Sequence, residues 1–219
     1  MTKLYEAMVM AGITQRIELF NECGYTSKNL YEQISLLTEE QQKAIQSGFA
    51  WIQQNGFQDD VVVIGGTAVA SHVPGGRKLT PDLDILVKSL SPFTELFHQQ
   101  KINYESIADS AMVASLSFSG ITVDVFNADF MMWQNRRLNS LVFSTAVRQN
   151  IGGVNWRVID SALLMCMKSQ TGRQKDMEDM ILLWKKIQDK AEVQKMAKQL
   201  IAIGVMTKEE YTDMKSFMF

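Results

Sequence analysis

Thr80-Pro81-Asp82-Leu83-Asp84-Ile85-Leu86-Val87 is the stretch on which the fold turns. It reads as a buried strand with a proline at its first position, where a missing N–H is tolerated. Side chains alternate along a strand, so Asp82 and Asp84 share one face while Leu83, Ile85 and Val87 share the other. An apolar strand gains no stability from such a pair. Two anions held side by side need a hard divalent metal, an Arg or Lys, or a shared proton between them.

Upstream, Val61-Val62-Val63-Ile64 is a short apolar run that predicts a second buried strand. Gly65-Gly66 follows, and residues 67–71 start a short helix. All three prolines, Pro74, Pro81 and Pro92, fall in one window, so residues 72–80 form a loop feeding a strand over 82–88. Pro92 suits the first turn of a helix over 91–100. Further strands are expected over 103–107, 112–118 and 121–126, with Gly120 in the turn between the last two. In the last of these, Thr122, Asp124 and Phe126 share a face.

A hairpin around 150–153 is expected to join a strand over 141–148 to one over 154–158. From Asp160 onward the pattern is helical, with Met177, Met180, Ile181, Trp184 and Ile187 at helical spacing and Thr207 capping a last helix. Residues 2–35 read as broken helix. Thr38-Glu39-Glu40-Gln41 is a capping box for a helix that ends near Gly56. The expected organisation is a helical extension over 1–60, an α/β core over 61–159 and a helical part over 160–219.

The composition is that of a globular chain: 46% of residues are hydrophobic and 21% charged, which argues against long disorder. No run approaches the roughly 20 apolar residues of a membrane span. No basic-then-apolar leader opens the chain. Cys23 and Cys166 then read as free buried thiols, and the expected compartment is the cytoplasm. The net charge of −2 argues against a dedicated nucleic-acid binder. The first 60 residues carry four basic and eight acidic side chains, so the acidity sits away from the carboxylate pair.

Strand, Gly65-Gly66, helix, loop, Asp82-x-Asp84 and a later strand with Asp124 form an ordered set with one use. Paired glycines let backbone approach a phosphate, and the following helix N-terminus favours an anion. Two or three carboxylates hold one or two Mg2+ ions, which bridge a triphosphate and activate a hydroxyl. Asp124 is either a third ligand or the base that takes the hydroxyl proton.

These motifs resemble the nucleotidyltransferase superfamily with the polymerase-β-type fold: Ile64-Gly65-Gly66-Thr67-Ala68, Thr80-Pro81-Asp82-Leu83-Asp84-Ile85 and Val123-Asp124-Val125-Phe126. Within it the chain looks most like AbiEii-type toxins of type IV toxin–antitoxin and abortive-infection systems. The Gly-Gly-Thr-Ala continuation and Lys168 followed by Arg173-Gln174-Lys175-Asp176-Met177-Glu178-Asp179 carry that likeness. It spans roughly 61–189. It implies a small mixed sheet flanked by helices, transfer of a nucleoside monophosphate from an NTP with pyrophosphate release, and Mg2+ on Asp82, Asp84 and Asp124. It also implies an RNA acceptor such as a tRNA end, and a cognate antitoxin. The group often has an Arg two residues before its Thr; here Lys78 stands there, with Arg77 one step earlier and Thr80 following.

Bland readings stand beside these. Asp82 and Asp84 could be exposed acids at a strand end, and Asp129 competes with Asp124. Thr67 either bonds a phosphate or caps its helix. Lys168, in an apolar run, either snorkels or meets the triphosphate. Arg77, Lys78, Thr80 and Asp176 are the remaining candidates for nucleotide contact, and Arg173, Lys175 and Asp179 belong to the same stretch. His72 and His98 read as packing and surface residues. Arg136, Arg137, Arg148 and Arg157, with Trp133 and Trp156, either line an acceptor groove or form a charged rim over core tryptophans. The rivals are a small-molecule, antibiotic-type nucleotidyltransferase, which the four arginines disfavour, and a non-catalytic module of the same fold.

Overall fold

A computed structural model describes residues 39–74, 77, 82–104, 112–118, 121–127, 136–151 and 154–218. The expectations for residues 1–38, Lys78, Thr80, Gly120, Asp129 and Trp133 lie outside the described residues. In chain order the elements are α1 (Glu39–Gln54), β1 (Val61–Val63), α2 (Gly65–His72), β2 (Asp82–Val87), α3 (Ser91–Gln99), β3 (Met112–Phe118) and β4 (Ile121–Asn127). They continue with α4 (Arg136–Thr145), β5 (Val147–Ile151), β6 (Val154–Val158), α5 (Ser161–Lys168), α6 (Gln174–Lys186), α7 (Lys190–Ala202) and α8 (Lys208–Met218).

The strands make one mixed sheet in the order β3-β4-β2-β1-β6-β5. β2 lies at its centre, parallel to β4 and antiparallel to β1. Alternation along β2 and β4 divides the sheet into two faces. Leu83, Ile85, Val123 and Val125 meet Ile52 of α1 and Phe93 and Phe97 of α3. The opposite face carries Asp82, Asp84 and Asp124, and α2, α5 and α6 pack together on that side. The fold is the expected mixed α/β arrangement of a small sheet flanked by helices.

The C-terminal helices belong to the same packed interior as the sheet. Met165, Met177, Met180, Met196, Met206 and Met214 join Val63, Leu86 and Val158 in one buried cluster, which is the gap-filling use expected of methionine. Cys166 is a free buried thiol, and burial pushes its pKa up to about 12. Thr207 caps α8 reciprocally: its Oγ1 accepts from the Glu210 N–H at 3.0 Å while its own N–H donates to the Glu210 carboxylate at 2.6 Å.

One strand expectation fails. Residues 141–145 are the end of α4, and β5 begins only at Val147. Leu141-Val142-Phe143 has the composition of a strand, yet Leu138 and Val142 stand one helical turn apart and are both fully buried. The burial of that face outweighs β propensity. Asn103 and Tyr104 belong to no strand, and 105–107 lie outside the described residues.

Candidate active site

Strand register brings the acids together. Asp84 stands opposite Asp124 across the parallel β2–β4 pair, and Asp82 stands opposite Thr122. Three carboxylates thus share one patch beside Gly65. Asp84 shows the effect: burial first, then the charges of Asp124 and Asp82, raise its carboxyl pKa to about 6, against the opposing pull of Lys168 and Lys175. The Oδ1 atom of Asp124 is buried and has no hydrogen-bond partner among the described residues.

Gly65 is required where it stands. Its φ is +65°, and an added Cβ would fall 1.8 Å from Asp84 Oδ2 and 2.7 Å from Asp84 Cγ. The Ile64 N–H donates to the Asp84 carbonyl at 2.9 Å. The Thr67 hydroxyl, fully buried, donates to the Asp82 carbonyl at 3.0 Å. Thr67 therefore ties the turn to β2 through the strand's own backbone. It does not cap α2, whose N-cap is Ile64, which corrects that reading, and it is not among the residues lining the cleft. His72 seats the other end of α2: its Nε2 lies 2.7 Å from the Ile159 carbonyl. Burial holds its pKa down, so the neutral ring donates there.

The acids face a cleft of about 470 Å3. Gly65, Gly66, Asp82, Asp84 and Asp124 form one wall, and Phe126, Ile159, Leu164 and Met167 add an apolar stretch. The rest of the lining is an ion-pair network rich in cations. Lys168, 8% exposed, donates to Asp176 Oδ1 at 2.6 Å and lies 2.7 Å from Asp179 Oδ2. Arg77 pairs with Asp179 Oδ1, and the Arg173 Nε donates to Asp176 Oδ2. The Thr171 hydroxyl reaches the same Asp176 oxygen at 2.6 Å. Burial alone would raise the Asp176 carboxyl. The Lys168 charge and the hydrogen bonds from Lys168, Thr171 and Arg173 outweigh it and hold the pKa down.

Of the residues singled out from sequence, Gly65, Gly66, Arg77, Asp82, Asp84, Asp124, Lys168 and Asp176 line this cleft, as do Arg173, Lys175 and Asp179 of the same stretch. Asp176, expected among the nucleotide contacts, is 0% exposed, and its oxygens accept hydrogen bonds from Lys168, Thr171 and Arg173. Asp179 and Phe126 matter more than their sequence context suggests. The signals for both are spacings: i,i+3 puts Asp176 and Asp179 on one face of α6, and Phe126 shares the Asp124 face of β4.

The acceptor groove suggested for Arg148, Arg157 and Trp156 is not where the cleft is. Trp156 is 2% exposed and stacks on Phe49 with centroids 4.0 Å apart. Arg157 donates to the Asp59 carbonyl at 2.6 Å and to the Phe143 carbonyl. Arg148 lies 3.6 Å from the Asp59 carboxylate. None of these lines the cleft, and the same holds for Arg137.

Two solved structures share the fold of this chain. The chain is similar to ANT(2'')-Ia in complex with adenylyl-2''-tobramycin, at 10% identity and a TM-score of 0.55, over 74% of this chain and 97% of that one. The solution structure of the antibiotic-resistance factor ANT(2'')-Ia aligns with a TM-score of 0.54 at 10% identity, over 78% and 97% of the two chains. An antigenic nucleotidyltransferase-like protein from Paracoccidioides brasiliensis aligns over 83% and 94%, at 16% identity and a TM-score of 0.48. Identities this low speak for the fold alone. No curated protein matches the sequence. Residues 41–215 match the profile of one family, and with that match over most of its length the chain belongs to the family described as "Nucleotidyl transferase of unknown function (DUF2204)".

Proposed function

We propose that this nucleotidyltransferase moves a nucleoside monophosphate from an NTP to an acceptor hydroxyl, with Mg2+, releasing pyrophosphate. The observation that carries the reading is the Asp84–Asp124 pair, set directly against Gly65 and sharing one cleft with a network rich in cations.

The donors suit a hard cation. Among the described residues no three His, Cys, Asp or Glu side chains form a ready-made metal cage. Mg2+ does not ask for one, because it commonly takes one or two carboxylates and fills its shell with water and substrate phosphate. Asp84, whose ionised form is disfavoured by burial and by its acidic neighbours, and the unpartnered Oδ1 of Asp124 are the oxygens that fit, with Asp82 beside them. Bound there, Mg2+ supplies charge neutralisation for the polyphosphate and for the attacking oxygen.

The chain's own groups do the rest. The Gly65-Gly66 turn admits the phosphates without a Cβ in the way. The Asp124 oxygen that the cation leaves free accepts the proton of the acceptor hydroxyl as the hydroxyl oxygen bonds to the α-phosphorus. The bond from that phosphorus to the β-phosphate bridging oxygen breaks, and pyrophosphate leaves toward the cations of the cleft.

The likeness to AbiEii-type toxins carries an RNA acceptor and a protein antitoxin as the finer form of this proposal. A second reading, a small hydroxylated acceptor, gains from the position of Arg148, Arg157 and Trp156. The basic groove that would have spoken for RNA is not at the cleft, and an apolar stretch with Phe126 is. Incubation with Mg2+ and each α-labelled NTP, in the presence of total cellular RNA or of an aminoglycoside panel, separates the two. The RNA form predicts label in the RNA fraction that resists phosphatase. Label confined to a small-molecule product would overturn it in favour of the second reading.

A further inference from the structure

Among the described residues, Arg77, Lys168, Arg173 and Lys175 are the cations that line the cleft. Asp176 and Asp179 hold three of them, Arg77 on Asp179, Arg173 on Asp176, and Lys168 on both. Lys175 is exposed and has no carboxylate partner among the described residues. We propose that Lys175 is the side chain that meets the β- and γ-phosphates of the NTP, while Lys168 stays paired as a buried positioning residue. This inference rests on the function proposed above.

Three observations favour it over the expectation that Lys168 makes that contact. Lys168 is already ion-paired with two buried carboxylates, at 2.6 and 2.7 Å, so its charge is largely spent before a phosphate arrives. Lys175 has no such bond to break, and moving it costs only the freedom of an exposed chain. Its position also suits an anion, beyond the Asp176 carboxylate that the same turn already commits to Lys168 and Arg173. It lies in the first turn of α6, next to the Arg173 N-cap, where the helix dipole disfavours positive charge. No side-chain cap answers the free N–H groups of that end. Finally, the Lys175 charge is felt at Asp84, so the side chain lies within electrostatic reach of the carboxylates across the cleft.

The test is Lys175→Gln, with binding of each NTP and its NMP measured by calorimetry in Mg2+, alongside kcat and KM for transfer. Loss of a charge-assisted phosphate contact predicts NTP binding about tenfold weaker or more, with NMP binding and the melting temperature unchanged. Lys175→Arg should recover most of the NTP affinity. The inference is overturned if wild type binds NTP and Lys175→Gln binds it equally well, or if NTP and NMP weaken together. A wild-type protein that binds no NTP in Mg2+ would overturn the proposed function itself, and this inference with it.

Discussion

Asp84→Asn is expected to lower transfer about a thousandfold or more, by removing a cation ligand and a charge at the reacting centre, and yet to stabilise the fold at neutral pH. The carboxyl of Asp84 sits at about 6 in the folded chain against an ordinary 3.8. A carboxyl raised in this way opposes folding when ionised. Its cost is fully present above the folded pKa, falls as pH drops through about 6, and is gone below the unfolded value. The near-isosteric Asn removes the charge while keeping the shape that fits against Gly65. The gain above pH 7.5 should be about 1–3 kcal/mol, which is roughly 2–4 °C in Tm for each kcal/mol in a chain of this size. Thermal melts of both proteins from pH 4 to pH 8 check this. A variant less stable than wild type at pH 8, or an advantage that does not shrink toward pH 4, would contradict the account. Mg2+ should raise the wild-type Tm and leave that of the variant nearly unchanged.

Asp179→Ala should be the most damaging change outside the acidic patch. Its two oxygens bridge Arg77, on the segment after α2, to Lys168 at the end of α5, and it sits on α6 itself. Both cations have side chains only 9% exposed. Removing the carboxylate leaves buried positive charge short of a partner, a change that costs about 3–5 kcal/mol. Asp179→Asn, which keeps an acceptor oxygen, should cost less. Urea unfolding of both variants gives the comparison, and a loss under about 0.5 kcal/mol for Asp179→Ala would show that the network is ornamental. The pH sign here is opposite to that of Asp84. The Asp176 carboxyl of the same network is held below its ordinary pKa, so its contribution is present at neutral pH and is lost as pH falls through the folded value.

Much of this site is legible in the residues themselves. Alternation alone puts Asp82 and Asp84 on one face, and Gly65-Gly66 after an apolar run points to backbone at a phosphate. What the chain does not spell out is register. That Asp84 rather than Asp82 faces Asp124 depends on how β2 and β4 pair across a long intervening segment, a choice made by packing on both faces of the sheet. Lys168 shows the same limit. A cation in an apolar run must find an anion, and that anion is first Asp176 and Asp179, brought back by the turn into α6. Residues 141–145 pass for a strand because Leu-Val-Phe suits either element, and only the burial of Leu138 with Val142 decides for the helix. Thr67 and Trp156 escape a sequence reading for a related reason: a hydroxyl or an indole has no fixed role until its neighbours are known.

The central claim is that the carboxylate patch transfers a nucleoside monophosphate. Wild type and Asp82→Asn should be incubated with Mg2+, acceptor and the same NTP labelled at either the α- or the γ-phosphate. The account predicts that wild type attaches the α-label to the acceptor and releases the γ-label as pyrophosphate in equal amount, and that Asp82→Asn, folded to the same extent, does neither. Undiminished attachment of the α-label by Asp82→Asn, or γ-label on the acceptor, would contradict it.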